Sequence, residues 1–156
     1  MDRLVIILQG IPGSGKSTHG RSLLGAACEA GFTAEMFSAD DYFVRADGSY
    51  KYDPAKIGDA HHACFRQFMS AILAETNLVI VDNTNTNEAQ ITPYLFAAES
   101  YGYEVALHWI VCDPIVAARR CTHGVPEETI LRMAARLQAM KPPPWWKNVV
   151  TIEAGV

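Results

Sequence analysis

Short apolar runs alternate with longer stretches of helical periodicity along the whole chain. That alternation predicts an α/β fold. Leu4–Leu8 is a continuous apolar run closed by Gln9-Gly10, the pattern of a parallel strand buried on both faces. Lys16–Ala30 has helical spacing, with Leu23, Leu24, Ala27 and Cys28 apolar and Gly31 placed to end it. Thr33–Phe37 predicts a second strand and polar Asp41–Asp53, with Gly48 inside it, a loop. Asp53-Pro54 is a cap followed by proline, opening a helix to about Glu75. Leu78–Val81 predicts a third strand ending in Asp82, and a helix from about Glu88 to Tyr101 is closed by Gly102. Tyr103–Val111 predicts the fourth strand, and Asp113-Pro114 opens a short helix giving way to Thr122–Val125. Pro126 starts a helix to about Met140, a proline-rich break follows, and Val149–Ile152 predicts the last strand.

Composition adjusts this picture only in places. The 156 residues show no repeat and no dividing linker, so residues 1–156 read as one domain. Hydrophobic residues at 49% and charged residues at 19% supply a core. A net charge of −4 argues against a protein held to nucleic acid by bulk positive charge, though not against a local basic groove. Charge is uneven: Gln67 to Ala118 contains no Lys or Arg, whereas Arg119 to Lys147 contains six against two acids, Glu127 and Glu128. No apolar run reaches the roughly 18–20 residues that span a bilayer, and the N-terminus lacks a signal-type apolar core. The four cysteines, Cys28, Cys64, Cys112 and Cys121, are scattered without paired or metal-binding spacing. Together these predict a cytoplasmic protein with free thiols and no zinc site.

The sharpest chemical signal is Gly10-Ile11-Pro12-Gly13-Ser14-Gly15-Lys16-Ser17, a full GxxxxGK[ST] match placed after a buried strand and at the mouth of a helix. Glycines let the backbone curl so that successive N–H groups face phosphate oxygens. The first helical turn adds unpaired N–H groups and a positive dipole end. In that geometry Gly13, Ser14, Gly15, Lys16, Ser17 and Thr18 bind the nucleotide. Lys16 reaches the β- and γ-phosphates and Ser17 ligates Mg²⁺. The competing reading is a glycine-rich turn with a surface lysine.

Three further segments narrow the chemistry. Ser38-Ala39-Asp40-Asp41-Tyr42 falls at the carboxyl end of the second strand, where open α/β sheets bind ligands. A carboxylate there can take a proton from an attacking hydroxyl, or the Asp pair can simply cap a turn. Val79–Asn85 ends an apolar strand in Asp82, the usual place for a Mg²⁺ ligand in phosphate-loop enzymes. The polar cluster Asn83–Asn85 behind it suits either an acceptor or a turn. Arg119-Arg120 precedes Thr122-His123-Gly124-Val125-Pro126; paired arginines before a flexible break suit a lid over phosphates, or a solvated helix end. Trp145-Trp146, after three prolines, reads as a hydrophobic cover over the last strand or the adenine, with a partner-binding edge as the alternative.

The combination of GIPGSGKST, SADDYF, VDNTNTN and RRCTHGVPEETILRM resembles the polynucleotide-kinase-like branch of the phosphate-loop kinases, over residues from about 4 to 140. The resemblance implies a P-loop NTPase fold: a five-stranded parallel sheet sandwiched by helices, with an arginine-bearing lid. It implies Mg²⁺ as cofactor, ATP as phosphate donor and a hydroxyl as acceptor. The family's general base falls on Asp40 and its lid arginine on Arg120, with Arg119 beside it. Its strand-end Asp falls on Asp82, with an extra Asn83 before Thr84. One departure stands out. End-phosphorylating members carry an arginine three residues after the first Asp, and here that position is Phe43, with Arg45 two residues further on.

Two acceptors of a nucleic-acid kinase follow: a 5′-hydroxyl, or the hydroxymethyl group of a modified pyrimidine such as 5-hydroxymethyluracil in DNA. Phe43 beside Tyr42 favours the second by offering an extruded base a stacking surface; core packing is the competing role for both rings. Candidate acceptor residues are Asp82, Asn83, Asn85, Tyr42, Phe43 and Arg45. A small-metabolite or nucleoside kinase is a different class, and a non-catalytic nucleotide-binding module a third. The set Lys16, Ser17, Asp40 and Arg120 speaks against the last. No obligate protein partner or membrane association is expected.

Overall fold

The structure, a computed structural model, describes residues 2–154. Strands β1 (Leu4–Gln9), β2 (Ala34–Phe37), β3 (Leu78–Asp82), β4 (Glu104–Val111) and β5 (Val149–Glu153) form one parallel sheet in the order β2-β3-β1-β4-β5. Helices α1 (Lys16–Glu29), α2 (Ile57–Leu73), α3 (Glu88–Ser100), α4 (Pro114–Arg120) and α5 (Glu127–Ala139) connect them. The five-stranded parallel sheet between helices is the architecture the sequence predicts.

The apolar run of β1 explains why it is central. Side chains alternate across a sheet. Val5 and Ile7 join Val79, Val81, Val105 and Leu107 on the α2–α3 face, around fully buried Phe68. Ile6 and Leu8 join Leu78 and Ile80 on the opposite face, against Ala27, Leu23 and Leu24 of α1. A third cluster, Ile11, Ala117, Ile130 and Leu137, seats α4 and α5 against the loop after β1. Both faces of β1 are therefore covered, and its carboxyl end is fixed from three sides.

Helix limits follow local chemistry. Asp113 accepts from the N–H groups of Ile115 and Val116 to start α4, and Asn87 accepts from Gln90 N–H to start α3. Part of the expected loop after β2 is ordered. Ala39–Phe43 forms a 3₁₀ turn, and an antiparallel bridge joins Val44 to Tyr50. The two tryptophans divide their work. Trp146 enters the core, and the exposed Trp145 stacks on Phe96 of α3 with centroids 5.2 Å apart. Among the described residues, no helix is long and apolar enough to cross a membrane.

Candidate active site

β1 pairs with β3 so that Leu8 lies opposite Asp82. The loop leaving β1 therefore starts beside the end of β3, and α1 begins within reach of Asp82. Ser17 donates its hydroxyl to Asp82 Oδ2 at 2.6 Å. Lys16 is 8% exposed and donates from Nζ to the Ile11 carbonyl at 3.3 Å. Burial pushes the Lys16 ammonium below its ordinary pKa, opposed by the negative charges of Asp82 and Asp40. A buried amine with its main contact to one carbonyl has hydrogen-bonding capacity left for an anion.

The loop is built for close approach. Gly13 has φ +79°, and a Cβ there would lie 2.0 Å from the Ala117 carbonyl oxygen, so α4 packs directly on the loop. Gly15, at φ +96°, opens α1 with no side-chain cap and no acidic residue in the first turn. The helix thus presents its N–H groups and positive end unopposed. The buried Ser14 hydroxyl has no hydrogen-bond partner within the described residues. An orphaned hydroxyl and an uncapped helix start are features that a phosphate would satisfy. Ser17 and Asp82 offer hard oxygen donors side by side, which fits Mg²⁺ better than a softer ion.

A cleft of about 1140 Å³ runs over this corner, bounded by Asp40, Tyr50, His61, Arg120 and His123 on one side and by Thr18, Ile152 and Ala154 on the other. The two neighbouring aspartates part company in the 3₁₀ turn. Asp41 accepts from Ser38 N–H and completes a capping box, whereas Asp40 lines the cleft. Tyr50 donates to Asp40 Oδ1 at 3.2 Å, and His123 Nδ1 lies 3.4 Å from Asp40 Oδ2. Burial, with Asp40 next to it, pushes the Tyr50 phenol well above its ordinary pKa. His61 is shifted down by burial against the opposing pull of Asp40.

Gly13, Ser14, Gly15, Lys16, Ser17, Thr18, Asp40, Asp82, Asn83 and Arg120 all border this cleft, as the sequence places them. Others do not. Phe43 is only 5% exposed and packs edge-on to Tyr42, Tyr50 and Tyr52 inside the core, because burying its ring outweighs facing solvent. It is not a stacking surface for a base. Asn85 is internal as well: its amide donates to the Leu8 carbonyl at 2.7 Å, and its own carbonyl accepts from Gln9. It satisfies backbone at the end of β1 rather than an acceptor. Tyr42 and Arg45 are exposed outside the cleft lining. So is Arg119, which a helical step of about 100° separates from Arg120. Asn83 borders the cleft but also braces it, accepting from Ala39 N–H at 2.9 Å at the base of the Asp40 turn. The site also holds two residues without a sequence-derived role, Tyr50 and His123. His123 lies in the segment following Arg120; Tyr50 is marked only by the aromatic character of its loop.

A parallel sheet of this order, with a phosphate loop after β1 and an acid at the end of β3, defines a P-loop kinase fold. The chain belongs to the AAA domain family, whose profile matches residues 5–140. It is 32% identical over 139 residues to human NEDD4-binding protein 2, covering 86% of this chain and 8% of that protein. It is 25% identical over 152 residues to human YLP motif-containing protein 1, covering 85% of this chain and 7% of that one. The chain thus spans less than a tenth of the length of these two relatives. Among solved structures, the Pnkp1/Rnl/Hen1 RNA repair complex superposes with a TM-score of 0.69 at 18% identity, over 88% of this chain and 44% of that one. A gluconokinase from Sinorhizobium meliloti 1021 gives 0.61 at 16% identity, over 97% and 83%. The Mycobacterium tuberculosis APS kinase CysC, solved with AMPPNP and APS, gives 0.62 at 14% identity, over 96% and 88%. These structural likenesses establish the fold.

Lys16→Ala should weaken ATP binding by about 10- to 100-fold, the scale of a lost charge-assisted hydrogen bond. Titration calorimetry with ATP and Mg²⁺ checks this; wild-type affinity in the variant would remove Lys16 from the nucleotide site.

Proposed function

We propose that the protein is a Mg²⁺–ATP-dependent kinase that transfers the γ-phosphoryl group to a hydroxyl of a nucleic acid, in the first instance a 5′-hydroxyl. The observation that carries the acceptor class is the way the cleft continues. His61 lines both this cleft and a second groove of about 480 Å³ between α2 and α3, bordered by half-buried Phe65 and by exposed Pro93 and Arg66 above the buried Tyr94. A half-buried aromatic ring with a cation beside it suits a stacked base and a backbone phosphate. Structural neighbours include both a nucleic-acid repair complex and small-molecule kinases, so fold alone does not choose between them. Burial of Phe43 removes the main argument for a base-hydroxymethyl acceptor.

Roles follow from position. Lys16 and the loop N–H groups hold the β- and γ-phosphates, and Arg120 neutralises charge on the transferring group. Ser17 and Asp82 would hold Mg²⁺, which supplies charge neutralisation on the phosphates when bound. Asp40 faces the acceptor. As the hydroxyl oxygen bonds to the γ-phosphorus, the bond to the β–γ bridging oxygen breaks with its electron pair leaving on ADP, and Asp40 takes the hydroxyl proton. Asn83 holds the Asp40 turn through Ala39.

Transfer of labelled γ-phosphate from ATP tests the reading with a panel of 5′-OH oligonucleotides, hydroxymethyluracil-containing duplex, nucleosides and sugars. Oligonucleotides should be phosphorylated best, with a steep salt dependence. Label moving only to nucleosides or sugars would overturn the nucleic-acid reading while leaving a kinase.

On the preferred acceptor, Asp40→Asn should lower turnover by about 10²-fold or more with ATP affinity near wild type. Asp41→Asn should cost far less activity, its loss appearing in thermal stability of the capped turn. Steady-state kinetics of both variants decide, and the reverse ranking would contradict the assignment of the base.

A further inference from the structure

The groove between α2 and α3 carries a specific set of groups. Phe65 of α2 is held by two buried rings: Tyr94 meets it edge-on with centroids 5.2 Å apart, and Phe68 lies tilted at 5.9 Å. Its ring is thereby fixed, yet it is only half-buried and borders the groove. On the α3 side stands Gln90. Its Oε1 accepts from the N–H of buried Thr86 at 2.8 Å and from the Thr86 hydroxyl at 3.4 Å. The Thr86 N–H settles which end of the amide is which, since a flipped amide would set donor against donor. The Nε2 donors are left over, and they meet no acceptor among the described residues. Arg66 is exposed at the rim and in no ion pair among the described residues, and no carboxylate borders the groove.

A fixed aromatic face, an amide with its donors free and a cation without a neighbouring acid match the parts of one nucleotide. The face takes a base, the amide donates to a carbonyl or ring nitrogen of that base, and the cation takes a phosphodiester. His61 borders both the groove and the cleft that holds Asp40, so the two spaces are continuous. A nucleoside with its 5′-hydroxyl at Asp40 ends inside the cleft, and the next nucleotide of a strand has the groove to enter.

We propose that the groove between α2 and α3 is the subsite for the second nucleotide of the acceptor strand, with Phe65 against its base, the Gln90 amide on an acceptor atom of that base and Arg66 on the phosphodiester that joins it to the first. This rests on the nucleic-acid reading of the cleft and adds to it how far along the strand recognition extends. Every natural base has a π face and an acceptor atom, so the subsite tolerates any sequence. Contacts made there are remote from the reacting hydroxyl and unchanged as the phosphoryl group moves. They therefore lower KM for the acceptor and leave kcat as it is.

The test uses three acceptors: a nucleoside, a dinucleoside monophosphate with a free 5′-hydroxyl, and the same molecule lacking its second base. Transfer from labelled ATP gives kcat/KM for each. Wild type should prefer the dinucleoside monophosphate to the nucleoside by about 30-fold or more, the scale of one stacked base with one phosphate contact, and should do so through KM. Removing the second base should cost wild type about 10-fold. Gln90→Leu and Phe65→Leu should each shrink that base-dependent gain to about threefold or less. Arg66→Gln should keep the gain and lower the salt slope for the dinucleoside monophosphate by about 0.7, the increment of one single-strand phosphate contact. Titration calorimetry of the dinucleoside monophosphate, with Mg²⁺ and a non-hydrolysable ATP analogue present, should give the same ranking without turnover. Gln90→Leu and Arg66→Gln lie outside the buried core and decide the matter should Phe65→Leu fold poorly. Equal transfer to nucleoside and dinucleoside monophosphate in wild type would overturn the subsite and leave a 5′-hydroxyl kinase. A base-dependent gain that survives in Gln90→Leu, or an unchanged salt slope in Arg66→Gln, would overturn it in the same way. Transfer to none of the three acceptors would overturn the nucleic-acid kinase reading together with the subsite.

Discussion

The site depends on one constraint, the parallel pairing of β1 with β3 in the register that sets Leu8 opposite Asp82. Parallel neighbours end at the same edge of a sheet, so the turn leaving β1 and the acid ending β3 must share space. The apolar runs of both strands hold that register, since a slip of one residue would exchange the α1 face for the α2–α3 face along the whole strand. The 2.6 Å contact between Ser17 and Asp82 is the local result. Lys16 is buried beside it by the same geometry, with its charge balanced by Asp82 and Asp40.

The opposite wall of the cleft is assembled differently. It rests on a five-residue 3₁₀ turn, a loop bridged at Val44 and Tyr50, and the segment after α4. Its order comes from capping and aromatic contacts more than from ladder hydrogen bonds. Asp41 spends its carboxylate on the turn and Asn83 fixes the turn to β3, which leaves Asp40 facing the cleft. On the proposed reading, a rigid donor corner facing a lightly held wall suits an enzyme that must admit a second substrate before reacting.

The sheet and its helices were legible in the sequence because each rests on a local rule. Continuous apolar runs mark strands buried on both faces, and Asp113-Pro114, Gly31 and Gly102 mark helix ends. The loop after β1 was legible because its glycines fall at fixed spacing, and at Gly13 the close approach of Ala117 in α4 leaves no room for a Cβ. The opposite wall of the cleft was less so. Five residues of 3₁₀ turn carry too little periodicity to show which ring faces inward, and Phe43 is covered by Tyr50 and Tyr52 from further along the chain. Asn85 resembles a ligand-binding polar residue in sequence, but its task is a backbone carbonyl 77 positions away. Tyr50 and His123 meet Asp40 only through tertiary packing, which no local pattern records.

The claim beneath the whole account is that Ser17 and Asp82 act as one Mg²⁺–phosphate corner. A double-mutant cycle on Mg²⁺-dependent ATP binding addresses it directly, using Ser17→Ala, Asp82→Ala and the pair, each titrated with and without the ion. Residues that share one ligand couple strongly, so either single change should remove most of the Mg²⁺ dependence and the second should add little. The coupling should be about 1 kcal/mol or more. Additive losses, or Mg²⁺ dependence unchanged in Asp82→Ala, would contradict the account.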